Sequence, residues 1–382
     1  MDVATILRYA FERFVFPFEK LCKMLYNPLN FPPKFFVMVY CLMCSAVVSN
    51  SLLIYLILKQ TRSKIGTYKY VMLCFSAYDI VYSLVFGYFK LGMFCIHGAY
   101  VVLLITYTFE NPSNGVFLIV LSICSYAISM AGITVHYVYR YLAICRHDLL
   151  RLFSTPWHGL RWILACLAFA VCWSSFCYFV TLPDETIYNV VGPAFEKEFN
   201  VSLYNMSILA MPYFYYENGE QIIIWNMCIG IFMIGFFLTI LFSTMCICAY
   251  FIHHFIRKAN ISNKTKRLHH QLFNALFVQT VMLIGTSYIT ILGEFFVPLL
   301  GDSYGFFGEY ICVIISLYPC ISPWLIIWCI RDYREYCLRK LQFVMCFGFY
   351  ARISAKIHLI PSNSATGTAK TPSHSLPKTT GI

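Results

Sequence analysis

Residues 115–139 read GVFLIVLSICSYAISMAGITVHYVY, an apolar run without Asp, Glu, Lys or Arg. An α-helix rises 1.5 Å per residue, so about 20 apolar residues cross a hydrocarbon core of ~30 Å. This run therefore predicts a helix that spans a membrane. Together with six similar runs it predicts seven spans, at about 35–58, 68–91, 115–139, 162–182, 222–252, 271–300 and 305–330.

The composition of the whole chain agrees with an all-α integral membrane protein. Of its 382 residues 60% are hydrophobic and 12% are charged, whereas charged residues make up about 25% of an average soluble domain. The mean hydropathy is +0.69. These values exclude a disordered chain, a coiled coil and a nucleic-acid-binding domain. A water-soluble globule could not bury so much apolar surface.

The positions of Lys and Arg predict the orientation of the spans. The chain carries a net charge of +11, and 21 of its 28 basic residues lie after spans one, three and five or in the tail. Loops rich in Lys and Arg remain in the cytoplasm. The sequence therefore predicts an N-terminus outside the cell, a C-terminus inside it, and basic inner loops that face membrane lipid.

This topology divides the chain into four predicted segments. Residues 1–34 form an extracellular N-terminal segment, and residues 35–330 form the seven-span bundle. Residues 331–346 mix basic and apolar side chains, which predicts an amphipathic helix on the inner membrane surface. Residues 347–382 form a cytoplasmic tail that is largely disordered.

The predicted outer side holds the candidate glycosylation sites. Asn200-Val-Ser and Asn205-Met-Ser are sequons in the outer loop 183–221, which is acidic and is expected to be wet. The shorter apolar run 94–107 is interpreted as part of another outer loop or as an extension of the second span.

Next to the last span, Cys337 and Cys346 are candidate palmitoylation sites. The other cysteines predict no metal site, because Cys41-Leu-Met-Cys44 has no second CxxC pair at zinc-site spacing.

Ionisable side chains within the spans are candidates for function, because burying a charge in hydrocarbon is costly. The positions are Asp79, His136, Arg140 and Glu294. Asp79 could bind a cation or change its protonation between two packings of the bundle, or it could form a structural hydrogen bond. Arg140 could be a switch residue or could extend to the lipid phosphates. Glu294 could simply reach the outer water.

Two prolines interrupt the seventh span. Pro319 and Pro323 each remove one backbone hydrogen bond from the helix, and this predicts a kink. The kink could be a hinge for movement of the inner helix end, or it could be static.

No enzymatic motif accompanies these residues. The chain has no HExxH, GxSxG or Walker-type sequence, and its predicted spans have no paired carboxylates at helical spacing. The sequence therefore predicts neither catalysis nor a cofactor nor a bound metal.

Four segments in matching order resemble one known family. They are GTYKYVMLCFSAYDIVYS at 66–83, YRYLAICRHDLLRLFSTPW at 139–157, HHQLFNALFVQT at 269–280 and LYPCISPWLIIWCIRDYR at 317–334. Together they resemble the str-type serpentine chemoreceptors of nematodes, which are seven-helix G-protein-coupled receptors. The resemblance implies an olfactory-type receptor in the plasma membrane of chemosensory neurons, often at the cilium, that detects small environmental molecules.

The resemblance also implies roles for particular residues. Arg140 occupies the place of the arginine that engages a heterotrimeric G protein, although Tyr139 stands where the receptor pattern has an acid. We expect Tyr141, Arg257 and Lys258 to share this inner coupling surface. Many receptors of this architecture have a disulfide on the outer side, for which the candidate pair here is Cys22 with Cys95.

The resulting hypothesis is a receptor whose outer half binds an odorant-like ligand. The candidate ligand-binding residues, chosen by depth along the spans, are Tyr126, Trp225, Asn226, Tyr288 and Glu294. One alternative is a seven-span transporter or ion pathway that uses Asp79 together with Lys90 or His136. Another is a pseudoreceptor that does not signal.

Overall fold

The computed structural model describes residues 33–60, 68–96, 98–105, 112–153, 155–258, 262–300, 305–340 and 342. Residues 1–32 and the predicted tail 347–382 lie outside this part of the chain, and so do Cys22 and Cys346. The chain divides between Arg334 and Glu335 into two compact units. The helix bundle described below belongs to the first unit.

Helices dominate the described residues. They are α1 (Pro33–Gln60), α2 (Tyr68–Phe89), α3 (Pro112–Cys145), α4 (Pro156–Thr181), α5 (Glu185–Phe199), α6 (Trp225–Lys258), α7 (Asn263–Leu283), α8 (Ile289–Phe296) and α9 (Gly305–Cys329). A π-helical turn, Ile284–Tyr288, joins α7 and α8 into one continuous span. Seven of the described helical segments are long and apolar enough to cross a membrane, namely α1, α2, α3, α4, α6, the α7–α8 pair and α9. The predicted seven-helix membrane fold is therefore confirmed.

Local sequence signals explain several helix ends. Asp184 caps α5, because its side chain accepts a hydrogen bond of 2.8 Å from the backbone N–H of Ile187. The same helix ends at Asn200, which has a φ of 56° and donates its backbone N–H to the carbonyl of Glu196. Thr155 caps α4 in the same way as Asp184 caps α5.

A small antiparallel sheet covers one end of the bundle, called the outer end because the basic loops predict that it lies outside the cell; the opposite end is called the inner end. Its strands are β1 (Leu91–Ile96), β2 (Ala99–Leu104) and β3 (Ile208–Pro212), in the order β1-β2-β3. Met93 pairs with Val102, which pairs in turn with Leu209. Every residue of the three strands is buried. A separate hairpin, mostly exposed except at Phe214, is formed by β4 (Phe214–Glu217) and β5 (Glu220–Ile223).

This outer layer differs from the loops expected from the sequence. The run 94–107 contributes to a strand hairpin rather than extending the second span, which ends at Phe89. Residues 183–221 are acidic on their exposed surface, but they also form α5 and the buried strand β3. The apolar residues of these segments cover the bundle, so the predicted wet loop is in fact a second packed layer.

The two prolines of α9 are clamped by α1. Pro323 has no N–H, so the carbonyl of Pro319 four residues earlier loses its helical donor. The side-chain amide of Asn50 replaces that donor at 2.9 Å. Beside it, the hydroxyl of Ser49 donates to the carbonyl of Cys320 at 3.3 Å. The neighbouring helix thus satisfies the backbone group that the proline exposes.

Side-chain hydrogen bonds join other neighbouring spans. The hydroxyl of Tyr78 on α2 donates to the carbonyl of Ser125 on α3 at 2.6 Å, and Gln279 on α7 donates to Ser322 on α9 at 2.6 Å. The hydroxyls of Tyr137 on α3 and Thr280 on α7 lie 2.9 Å apart. These bonds fix the rotation of each helix about its own axis.

Candidate functional site

A cavity of about 80 Å³ lies in the outer half of the bundle, directly beneath the sheet. The roof is made by alternate strand residues, as the two-residue period of a strand requires. These roof residues are Leu91, Met93, Tyr100, Val102, Leu209 and Met211. The walls are helical, with Ile123 and Tyr126 from α3, Trp173 and Cys177 from α4, and Ile234 from α6. An apolar space of this kind suits a small apolar ligand.

The cavity includes only one of the five ligand-binding residues predicted by depth. Tyr126 lines it, and the hydroxyl of this tyrosine is buried without a hydrogen-bond partner among the described residues. Trp225 and Asn226 are exposed at the outer start of α6. Tyr288 is buried against Phe242, with ring centroids 5.7 Å apart, and does not line the cavity.

Glu294, the fifth predicted residue, lies next to the cavity rather than in its lining. It is buried on α8, between the cavity-lining residues Ile291 and Phe295. The thiol of Cys95 on β1 lies 3.7 Å from its Oε2 atom. Burial and the neighbouring Glu294 carboxylate raise the pKa of the Cys95 thiol, so this thiol remains a protonated donor. The contact ties the outer end of the sixth span to the sheet.

Asp79 is buried at the centre of the bundle. Its Oδ1 atom has no hydrogen-bond partner within the described residues. Tyr82 and Tyr318 are among the tyrosines that interact electrostatically with its carboxylate. Asp79 makes no ion pair or hydrogen bond with Lys90 or His136 in this part of the chain. The described contacts therefore do not join the groups that an ion pathway would combine.

Lys90 and His136 each contact aromatic rings. The Lys90 ammonium lies 4.7 Å from the ring centroid of Tyr40, a cation–π contact with α1. The His136 ring is 4.8 Å from that of Phe75.

Arg140 is buried at the inner end of the bundle, at 3% exposure. Its guanidinium donates to the backbone carbonyl of His269 on α7 at 3.3 Å, and it lies 5.0 Å from the ring centroid of Tyr68 on α2. No carboxylate pairs with Arg140 among the described residues. The inner ends of the third and sixth spans are thus joined by a bond to a backbone acceptor instead of an ion pair, and the ring of Tyr68 adds a contact with the second span.

The other predicted coupling residues surround this closed inner end. Arg257 and Lys258 are exposed at the end of α6. The backbone carbonyl of Arg257 accepts a hydrogen bond from the side chain of Lys266 at 3.3 Å, which bridges α6 and α7. Tyr141 is half-buried, and its ring lies 5.9 Å from that of Phe251. The basic residues therefore present a charged inner surface, while Arg140 lies behind it.

The predicted modification sites fall in separate places. Asn200 is exposed at the end of α5, whereas the side chain of Asn205 lies outside the described residues. Cys337 is half-buried in the helical stretch 331–340. Cys95 is buried in β1, and its candidate disulfide partner, Cys22, is outside the described part of the chain.

Sequence reasoning missed the residues that connect the outer cavity to the inner end. Tyr137 and Thr280 lie between the two regions and join the third and sixth spans. The π-helical turn at Ile284–Tyr288 follows Thr280 by one helical turn. The sequence did hold a sign of part of this set, because Thr280, Gly285 and Thr286 are small or polar residues within an apolar span.

Comparison with known proteins agrees with this architecture. A family model described as the serpentine type 7TM GPCR chemoreceptor Str matches residues 35–338. The chain is 30% identical over 286 residues to serpentine receptor class r-10 of Caenorhabditis elegans, covering 73% of this chain and 83% of that protein. It is 29% identical to serpentine receptor class r-10 of Caenorhabditis briggsae, covering 76% and 87%. With the G-protein coupled receptor str-33 of Caenorhabditis elegans it shares 26% identity, covering 76% and 86%.

Proposed function

Because the chain belongs to the serpentine Str family of seven-transmembrane G-protein-coupled chemoreceptors, we propose that it is an olfactory-type receptor which detects a small environmental molecule and activates a heterotrimeric G protein. It is a multi-pass membrane protein. In this proposal it acts in the plasma membrane of a chemosensory neuron, at the cilium, with its N-terminus outside.

The cavity beneath the sheet is the observation that carries this proposal. It is lined by α2, α3, α4, α6, α8 and α9 as well as the sheet, so a molecule inside it lies among six of the seven spans. Its lining is nearly all apolar, and the ligand is therefore a small molecule with few polar groups. Tyr126 is the residue that we assign to orient it.

The ligand acts by favouring a second packing of the bundle. In the closed packing Arg140 is covered by the His269 carbonyl and Tyr68. Outward movement of the inner end of α7 would remove this carbonyl and expose Arg140, beside Arg257 and Lys258, to the G protein. A shift from 1% to 99% open receptor requires the ligand to prefer the open packing by ~5.5 kcal/mol.

A heterologous cell assay tests the binding half of this proposal. Cells that express the chain and a G-protein reporter are exposed to a panel of small odorants. Cys177→Phe places a ring in the cavity and should abolish the response to any active odorant. Cys172→Phe is the matched control, because Cys172 lies on the same helix but is exposed on the surface of the bundle. Equal responses from both variants would show that the ligand binds elsewhere.

Arg140→Ala tests the coupling half of the proposal. The variant should reach the cell surface and lose G-protein activation, because it lacks the guanidinium that contacts the G protein in this proposal. Unchanged activation per surface receptor would remove Arg140 from the coupling mechanism.

A further inference from the structure

The outer water has no direct path to the cavity through the described roof. The strand residues that do not line the cavity, such as Phe94, Val101 and Ile208, are also fully buried. The outer helix α5 covers this second face, where the rings of Phe94 and Phe199 lie 5.2 Å apart. Two packed layers, the sheet and α5, therefore separate the cavity from the outside.

Toward the membrane, a single layer of side chains closes the cavity. Cys177 of α4 and Ile234 of α6 line it and are buried. Their neighbours on the two helices, Phe179 and Phe232, are 77% and 70% exposed on the surface that lipid covers. The seam between α4 and α6 is thus a boundary between cavity and bilayer that is one side chain thick.

Contacts above and below the lining residues define this seam. Near the outer end, a Cβ atom at Gly230 would lie 2.5 Å from Cγ1 of Val180, so only glycine allows this approach. Two turns further in, the rings of Trp173 and Phe237 lie 6.1 Å apart. Ile234 and Cys177 lie between these two contacts along their helices.

Only apolar contacts hold the seam closed. No hydrogen bond or ion pair joins α4 to α6 in the described residues, in contrast to the polar bonds between α1 and α9, α3 and α7, and α7 and α9. Lipid tails are as apolar as these side chains, so the hydrophobic effect does not oppose separation of two helices in a bilayer. Opening the seam costs van der Waals contacts that lipid or an apolar ligand can replace.

We propose that the ligand is an apolar molecule that dissolves in the bilayer and enters the cavity sideways, between α4 and α6. This inference rests on the proposed function only in taking the cavity as the ligand site. It assigns the ligand to a chemical class, membrane-partitioning molecules without charge. It also assigns Val180 and Gly230 to the gate.

A disulfide across the seam tests the route. A Cβ at Gly230 would lie 3.7 Å from Cβ of Val180, which matches the separation of about 3.5–4.5 Å found in disulfides. The double variant Val180→Cys with Gly230→Cys is therefore expected to form a disulfide when oxidised. The probe is a small dialkyl diazirine, dissolved in vesicles that contain the full-length protein. Mass spectrometry locates its adducts after irradiation.

In the reduced double variant we expect adducts on the roof residues Met93 and Met211, which do not contact lipid. Oxidation should abolish those adducts, and a reductant should restore them. Adducts on the lipid-facing Phe232 should remain unchanged throughout, which controls for probe concentration. The single variant Val180→Cys, treated with the same oxidant, controls for disulfides to native cysteines.

Two results would overturn the proposal. One is equal roof labelling in the oxidised and reduced double variant, which would place the route elsewhere. The other is the absence of roof labelling in the reduced protein. Because the readout is labelling and not signalling, either result leaves the receptor proposal standing, whereas failure of the Cys177→Phe test would remove the cavity as the ligand site.

Discussion

The hydrogen bond between Tyr137 and Thr280 holds the closed packing of the bundle, and removing it should raise signalling without ligand. Tyr137→Phe deletes only the hydroxyl that lies 2.9 Å from Thr280. Interhelical hydrogen bonds in membranes contribute about 0.6 kcal/mol on average and ~1.7 kcal/mol at most. If the bond is lost in the open packing, the fraction of open receptor rises about threefold on average and ~18-fold at the upper bound.

The assay is G-protein activation in cells without odorant, divided by the amount of receptor at the cell surface. If about 1% of receptor is open before the change, ~3% should be open afterwards for an average bond. Tyr250→Phe is the matched control, because Tyr250 is 66% exposed on α6 and its hydroxyl makes no bond to another span among the described residues. Thr280→Val should raise basal activity similarly, and the double variant should add little, since both changes break one bond.

Basal activity of Tyr137→Phe that equals the control, or falls below it, would refute this reasoning. A double variant whose effect is the sum of the two single effects would also do so, because it would show that the two hydroxyls act independently.

Three further predictions follow from other contacts. Asn50→Leu leaves the Pro319 carbonyl without a donor, so the free energy of unfolding should fall by about 1–3 kcal/mol. Thermal melting of the purified protein measures this change, and an unchanged midpoint would show that the hydrogen bond does not stabilise the fold. Gly230→Val should lower the yield of folded protein because of the clash with Val180, whereas Gly235→Val, with nothing within 4 Å, should not; equal yields would show that the approach of α4 to α6 is not tight. Asn200→Gln should remove a glycan and increase gel mobility. Asn263-Lys-Thr is also a sequon but lies on the predicted inner side, so Asn263→Gln should not change the mobility; the opposite pattern would reverse the orientation of the bundle.

The seven spans could be predicted from the sequence because the bilayer imposes a length on every apolar run. A run such as 115–139 has no soluble alternative that would hide its side chains. The burial of Asp79 also followed from its position within such a run, whereas the sequence left open whether Arg140 is buried or extends to the lipid phosphates. The structure adds a partner that sequence could not name, since the Arg140 acceptor is a backbone carbonyl with no residue-type signature.

The outer sheet was not predictable by the same reasoning. Residues 91–104 and 208–212 are apolar on both faces, so they lack the alternation that identifies a half-buried strand. Their cover, α5, carries acidic residues on its exposed side, and these suggested a wet loop. Only the three-dimensional packing shows that each segment supplies the apolar surface that the other needs.

Depth along a span also proved insufficient to choose cavity residues. Tyr126 and Trp225 are both in the outer half of a span, yet Tyr126 faces the cavity and Trp225 is 69% exposed. Which face of a helix points inward depends on its rotation. Bonds such as that between Gln279 and Ser322 fix the rotation, and they depend on two spans at once.

The distance between the inner ends of the third and sixth spans reports whether a ligand opens the bundle. Spin labels at Arg146 and Lys264, both exposed, report this distance by double electron–electron resonance in receptor purified into lipid. An odorant that activates the receptor in cells should lengthen it, and Cys177→Phe should prevent the change. An unchanged distance with an activating odorant would contradict the account, because Arg140 would remain covered while the receptor signals.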